Sequence, residues 1–242
     1  MTRDTNNSQF YDTKTHNYIY KIFSKCWIRF WMYHAGLGRF GRIATLFTSW
    51  VAPPHKARVS LARMNQRGYI EPNATIYHSK LKLGNNVFIG EHVIIFENGK
   101  GGPVELGDRV IIHRHTILET ALGGSLTLEE GASVHPRCQL NAYHSSIRIG
   151  KGTMIAPNCA FYPYDHGVAP GQTIREQPLV GKGDISVGRE AWLGVGVIVL
   201  GGVRIGDDAV IGAGSVVTKN IPDGAIAMGR PARVIKMRSD LA

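Results

Sequence analysis

The stretch from Val187 to Pro222 divides into six rows of six residues, and this period limits the fold more than any other feature of the chain. The rows run Val187–Trp192, Leu193–Ile198, Val199–Arg204, Ile205–Val210, Ile211–Val216 and Val217–Pro222. Each opens on an aliphatic residue and carries a small or β-branched residue fifth. An amphipathic helix repeats near 3.6 and a half-buried strand at 2, so neither explains the pattern. A period of six turns the chain through a corner at each row and sends one aliphatic side chain inward each time. Three sides close a coil of about eighteen residues, the signature of a β-solenoid.

The same phase extends backwards. Full coils fit 83–100, 106–123, 128–145, 149–166, 187–204 and 205–222, and a partial coil with Ile70 and Ile76 precedes them. Leu83-Gly84, Ile89-Gly90, Leu106-Gly107, Ile149-Gly150 and Ile205-Gly206 open rows. Extra residues fall between coils, and the longest excess, 167–186, is expected as a loop thrown off one edge of a rigid scaffold. After Pro222 the period stops, and the remainder reads as a turn, a short strand and a tail that caps the open end.

The 242 residues are 43% hydrophobic, enough for a core, and the 29 glycines suit a chain that turns constantly. The charge of +10 admits a polyphosphorylated molecule, an anionic membrane or nucleic acid as partner. Cys26, Cys138 and Cys159 form no CxxC pair, so a reducing compartment is expected and a disulfide framework is not. The polar start is unlike a secretory leader, and no apolar run reaches the length of a membrane span. Residues 18–33, YIYKIFSKCWIRFWMY, place Lys21, Lys25 and Arg29 along one side of an expected helix rich in aromatics. A second apolar stretch follows and ends at Pro53-Pro54. Residues 17–50 can pack as an arm on the solenoid or a neighbouring subunit, or lie in a membrane interface. Three regions follow: a basic, aromatic helical arm (1–66), the solenoid (67–222, with its inserted loop) and a C-terminal cap (223–242).

The run IGDDAVIGAGSVVTKNIPDGAIAMGRPARVI, with Ala191-Trp192-Leu193-Gly194, Ile155-Ala156-Pro157-Asn158 and Asp165-His166 before it, resembles the hexapeptide-repeat acyltransferases. The likeness is to their sugar and polysaccharide O-acetyltransferase branch and spans about 149–236; residues 70–145 share only the period. The resemblance implies an all-β left-handed parallel β-helix, an exception to the right-handed crossover rule. It also implies a homotrimer with sites between subunits, and acetyl-CoA as acyl donor.

Acyl transfer to a hydroxyl needs a base, and an imidazole, with its ordinary pKa of about 6.5, can take the proton. His166, the last residue of the fourth full coil, matches the family's catalytic histidine. Asp165 or Glu176 is a candidate to orient it, and Asn141 a candidate to bind the acceptor; their plain alternatives are turn and corner residues. For the donor, small residues at Gly194, Gly212, Ala213 and Gly214 allow close approach of a thin pantetheine arm. Trp192 can line the thioester end or pack in a contact. Thr218, Lys219, Arg233 and Lys236 match positions that meet the nucleotide end of coenzyme A, where phosphates need cations and hydroxyls. His113, His115, His135 and His144 invite comparison with the zinc-dependent γ-class carbonic anhydrases, but no two histidines are five apart and no metal is expected.

The leading expectation is therefore a cytoplasmic enzyme, at the inner face of the membrane where the arm reaches it. It would acetylate a hydroxyl of a polysaccharide or lipid-linked sugar. N-acylation of an amino sugar nucleotide and a non-catalytic scaffold remain as alternatives. Nucleic acid is not an expected partner, because no binding motif accompanies the charge.

Overall fold

The computed structural model describes residues 21–241, so the polar start and the first residues of the arm lie outside the described residues. From Tyr69 the chain winds as a three-faced left-handed parallel β-helix. The first face begins with Tyr69–Ile70, Phe88–Ile89 and Ile111–Ile112 and runs on to Trp192–Leu193 and Val210–Ile211. Seven strands from Thr75–Tyr77 to Val216–Val217 make the second face, which counts seven turns. Six from Leu81–Leu83 to Arg204–Ile205 make the third. Row-opening residues stack in register: Ile89 on Ile112, Ile155 on Leu193, Leu193 on Ile211, Phe161 on Val199. They are fully buried with the fifth-position residues, such as Val93, Cys138, Val197 and Ala209, in one continuous core. Each inward aliphatic contributes about 1.5–3 kcal/mol of burial, repeated down the ladder.

The corners set the backbone at the fourth residue of each row. Where the first face turns into the second, His92, His115, Arg137, Asn158, Gly196 and Gly214 all take left-handed backbone, with φ between 52° and 71°. Insertions collect at the next corner, between the second and third faces, where a longer connection leaves the inward ladder undisturbed. At the far end, Ala225–Gly229 extends the first face and folds back antiparallel as Ala232–Met237. The expected cap of one short strand is thus a two-stranded ribbon that covers the last coil.

The arm packs on its own solenoid. A helix over 21–33 (α1) and Arg39–Ser49 (α2) are followed by single turns at His55–Arg58 and Val59–Ala62. Met32, Ala35, Ala52, Leu61 and Ala62 form a second core with Tyr69 and Phe88. Those two aromatics point outward from the first face, and the arm is what buries them. Polar ties fix its pose. Arg42 donates to the carbonyls of Pro72 (2.8 Å) and Ala74 (2.5 Å), satisfying the exposed end of the first turn. Arg58 pairs with buried Glu71 (2.9 Å) and with Glu91 (3.3 Å), and donates to the Ser49 carbonyl (3.1 Å). Burial pushes the Glu71 carboxyl up, and the Arg58 guanidinium opposes it.

Arg58→Ala strands a buried carboxylate, and removal of one partner of such a pair costs about 3–5 kcal/mol. Urea unfolding should show that loss, and Arg58→Met combined with Glu71→Leu should recover most of it. An unchanged midpoint for Arg58→Ala would mean the pair does not hold the arm.

Candidate functional site

The second face leaves the solenoid after Ala160–Tyr162 as an antiparallel hairpin, Tyr164–His166 paired with Leu179–Gly181. Tyr164 lies opposite Gly181 and His166 opposite Leu179. The excursion thus starts ahead of residue 167, and His166 stands on the hairpin rather than closing a coil. The physical reason is local: the Pro163 carbonyl accepts from the Lys182 backbone N–H at 2.8 Å and pinches the hairpin off the solenoid. Its distal loop is held by Gln177, which is buried. The Gln177 Oε1 accepts from the Ala169 N–H (2.8 Å), and its Nε2 donates to the carbonyls of Ala169 (3.0 Å) and Gln172 (3.2 Å).

His166 and Asp165 are both exposed. Successive side chains on a strand leave opposite faces, so Asp165 points away from the His166 ring. Glu176 accepts a hydrogen bond from the Thr173 hydroxyl at 2.7 Å, within its own turn. Tyr164 shares the side of the hairpin that His166 occupies. Its ring lies 4.9 Å from Tyr143 and 5.8 Å from Tyr162. Tyr143 donates to Glu119 Oε1 (2.5 Å) and accepts from Asn98 Nδ2 (3.1 Å). Burial, with Tyr162, Tyr143 and Glu119 nearby, pushes the Tyr164 phenol up to about 12, so it stays protonated at neutral pH.

Two residues before Tyr143, and on the same outward side, stands Asn141. It is 9% exposed, and its amide oxygen has no hydrogen-bond partner among the described residues. A buried acceptor without a donor costs about 1–3 kcal/mol, and this oxygen is closed to solvent, so a donor reaches it only when the amide turns outward. A concavity of 780 Å³ opens further down the same face, lined by Tyr77, Phe96, Glu97 and Asn98, and meets the cluster through Asn98. Asn141, Tyr143, Tyr164 and His166 are thereby strung along one surface.

The residues expected to hold the donor do not all gather there. Gly194 and Ala213 sit at the corner between the first and second faces, and a Cβ on Gly194 would come within 2.7 Å of the Ala213 nitrogen. Trp192 lies on the first face, 49% exposed, stacked in register between Met154 and Val210. Arg233 and Lys236 are on the terminal ribbon that extends this face, opposite Met228 and Ile226. Thr218 and Lys219 instead occupy the corner between the second and third faces, the edge that carries the hairpin. One edge thus bears His166 and Lys219 and the other Gly194 and Ala213, with a face of about five residues, roughly 16 Å, between them.

The remaining histidines have separate surroundings. His92 and His115 stack at 5.2 Å on one corner. His113 is buried rather than at the surface, because Phe88 and the arm cover it, and its ring lies 4.9 Å from His135. Burial, then the neighbouring His135, Lys56 and His55, lowers it to about 4, so it is neutral at pH 7. Among the described residues no three His, Cys, Asp or Glu side chains gather as a metal set.

Comparison with known proteins agrees with the fold. Residues 184–219 match the family described as "Bacterial transferase hexapeptide (six repeats)". That match spans the last two coils, and the repeat it describes is the one that builds them. It is 41% identical over 96 residues to a galactoside O-acetyltransferase of Lactococcus lactis, covering 40% of this chain and 45% of that one. Similarity to the galactoside O-acetyltransferase of Escherichia coli K12 is 39% over 95 residues, covering 39% and 46%. The chain thus spans about half the length of these relatives. A variant of AntD, an N-acyltransferase from Bacillus cereus crystallised with dTDP and coenzyme A, superposes with a TM-score of 0.50 at 19% identity, covering 78% of this chain and 95% of that one. At that identity the likeness speaks for the fold alone.

The sequence reading missed Tyr143, Tyr164, Glu119 and Gln177. The tyrosines alternate along 143, 162 and 164 at the ends of second-face rows, a signal that was present; Gln177 carries none in a polar loop. Gln177→Ala removes three hydrogen bonds to the loop backbone. The loop between 167 and 178 should be nicked by trypsin at Arg175 at least tenfold faster, at roughly 1.4 kcal/mol per tenfold, with the thermal midpoint of the solenoid unchanged. Equal nicking rates would contradict the role assigned to Gln177.

Proposed function

We propose that this chain is a hexapeptide-repeat acyltransferase that moves an acetyl group from acetyl-CoA to a saccharide hydroxyl, with His166 as general base. The observation that carries the reading is the surface linking His166, through Tyr164 and Tyr143, to the unpartnered amide oxygen of Asn141. A sugar hydroxyl would supply the missing donor once the Asn141 amide turns toward the surface, and tyrosine rings offer flat apolar faces with polar rims to a pyranose. Similarity to galactoside O-acetyltransferases over the later coils supports the acceptor class and the O-acyl outcome.

In this reading the acceptor oxygen attacks the thioester carbonyl while its proton passes to the His166 imidazole. The tetrahedral oxyanion collapses, the carbon–sulfur bond breaks, and the imidazolium returns the proton to the departing thiolate. A hydrogen-bond donor must stabilise the oxyanion; the amides of Gly194, Gly196, Gly212 and Gly214 already donate to backbone carbonyls, and those of exposed Val195 and Ala213 at the same corners are of the right kind. Orientation of the imidazole falls to a group other than Asp165, whose side chain leaves the opposite side of the strand.

The two edges lead to the assembly. A single chain cannot close His166 onto Gly194 and Ala213 across a flat β-face. A cyclic trimer brings the hairpin edge of one subunit against the glycine edge of the next, and each of three clefts is then complete. Trp192, Arg233 and Lys236 lie on the far side of the glycine edge, where the donor's phosphates would meet their charge, and Lys219 would approach from the hairpin edge.

Incubation of the protein with labelled acetyl-CoA and a glycan pool, read by mass spectrometry, should give an acetyl increment on a hydroxyl. His166→Ala should lower kcat by about 10²–10⁴ with coenzyme A affinity retained, whereas Asn141→Ala should raise the acceptor KM. Acetyl on an amine would assign N-acylation. Full turnover by His166→Ala would end the proposal, and absence of transfer by the intact protein would leave the scaffold reading.

A further inference from the structure

The arm carries a surface that neither the solenoid nor the proposed chemistry uses. Residues 13–70 hold ten lysines and arginines and no aspartate or glutamate, so this quarter of the chain supplies a charge equal to the whole excess of +10. Arg42 and Arg58 are spent on the solenoid. Lys21, Lys25, Arg29 and Arg39 are exposed and make no salt bridge among the described residues.

Apolar side chains share that surface. On α1, Ile22, Cys26, Phe30 and Tyr33 follow one another at helical spacing, and Lys21, Lys25 and Arg29 form the adjoining stripe. On α2 and just past its end, Phe40, Ile43, Phe47 and Trp50 do the same, while Gly41, Ala44, Thr45 and Thr48 are the buried side. Phe47 stacks on Trp31 at 4.4 Å, and Trp27 donates its indole N–H to the Phe47 carbonyl at 2.8 Å, so the two helices present their stripes as one unit. The outer residues stay far out in water: Tyr33 77%, Trp50 64%, Phe40 61% and Phe30 59% exposed. Residues with that exposure cannot be serving the core.

We infer that this face docks on an anionic lipid surface. Tryptophan, tyrosine and phenylalanine rings enter the headgroup region, and unpaired cations beside them meet lipid phosphates. No described helix is long and apolar enough to cross a membrane, so α1 and α2 lie along the surface. The charge decides against a self-pairing face, since two copies would bring cation against cation with no carboxylate among the described residues of either helix to answer. A helical arm needed only to cover Tyr69 and Phe88 would be apolar on one side; this one is apolar on both.

The test is flotation of the full chain with phosphatidylcholine vesicles, with and without phosphatidylglycerol. It uses no acyl donor, so its outcome is separate from the fate of the proposed transfer. The protein should float with phosphatidylglycerol vesicles and stay behind with phosphatidylcholine alone. Lys25→Gln with Arg29→Gln should lower partitioning roughly 30-fold. Phe40→Gln with Trp50→Gln should also release the protein, with an unchanged thermal midpoint because both rings are exposed. Failure to float with either vesicle overturns the inference, as does equal flotation with both. It is likewise overturned if the aromatic substitutions dissociate the oligomer by sedimentation velocity, since the face would then belong between copies of this chain.

Discussion

Everything in this molecule depends on one inward aliphatic side chain every six residues. Parallel strands give their backbone bonds to the turns above and below, so a coil has no partner except its neighbours, and register is kept by the ladder it stacks on. The inward positions are zero to a few per cent exposed from Val87 onward, and Ile76, Leu81 and Leu83 of the first turn are partly buried against them. Outward positions are thereby released from packing. They can carry Tyr69 and Phe88 where the arm docks, Asn141 and Tyr143 beside the hairpin, and Trp192 on the first face. A triangular section has a further consequence, because residues on two corners are fixed apart by a rigid face and do not meet within one chain.

The hairpin is where the solenoid gives up its regularity. Its antiparallel strands pair only with each other, and its loop is ordered from within by Gln177. That separates two demands. The prism supplies rigidity and the spacing between edges, while the hairpin sets the position of one imidazole through few contacts. Tyr164 joins them, since its ring rests on Tyr143 of the solenoid. The same division recurs at the other end, where the arm adds a face that the coils do not have.

Much of this was readable before any coordinates. The rows from Val187 to Pro222 fixed the phase, and the inward ladder follows it without a slip through the later coils. Ile70 and Ile76 correctly marked an earlier turn. The hairpin was not readable in detail, because Tyr164–His166 and Leu179–Gly181 are too short for a period and their pairing is set by Pro163 and Lys182. The pose of the arm was open as well, although the aromatic residues just before Ile70 and Ile89 were a clue that something covers the first face. The separation of His166 from Gly194 follows from phase alone, since six-residue rows assign each to its corner. The empty acceptor on Asn141 could only come from burial and hydrogen bonding, which no sequence pattern reports.

The central claim is that a working cleft takes one edge from each of two subunits, and mixed trimers test it most directly. His166→Ala removes the base from one edge, and Ala213→Glu, at an exposed corner, obstructs the other; each homotrimer should be inactive. Subunits of the two variants, dissociated and reassembled in equal amounts, should recover activity in about a quarter of the clefts, those whose two edges are both intact. No recovery from verified mixed trimers would contradict the account, because both edges would then have to come from the same chain.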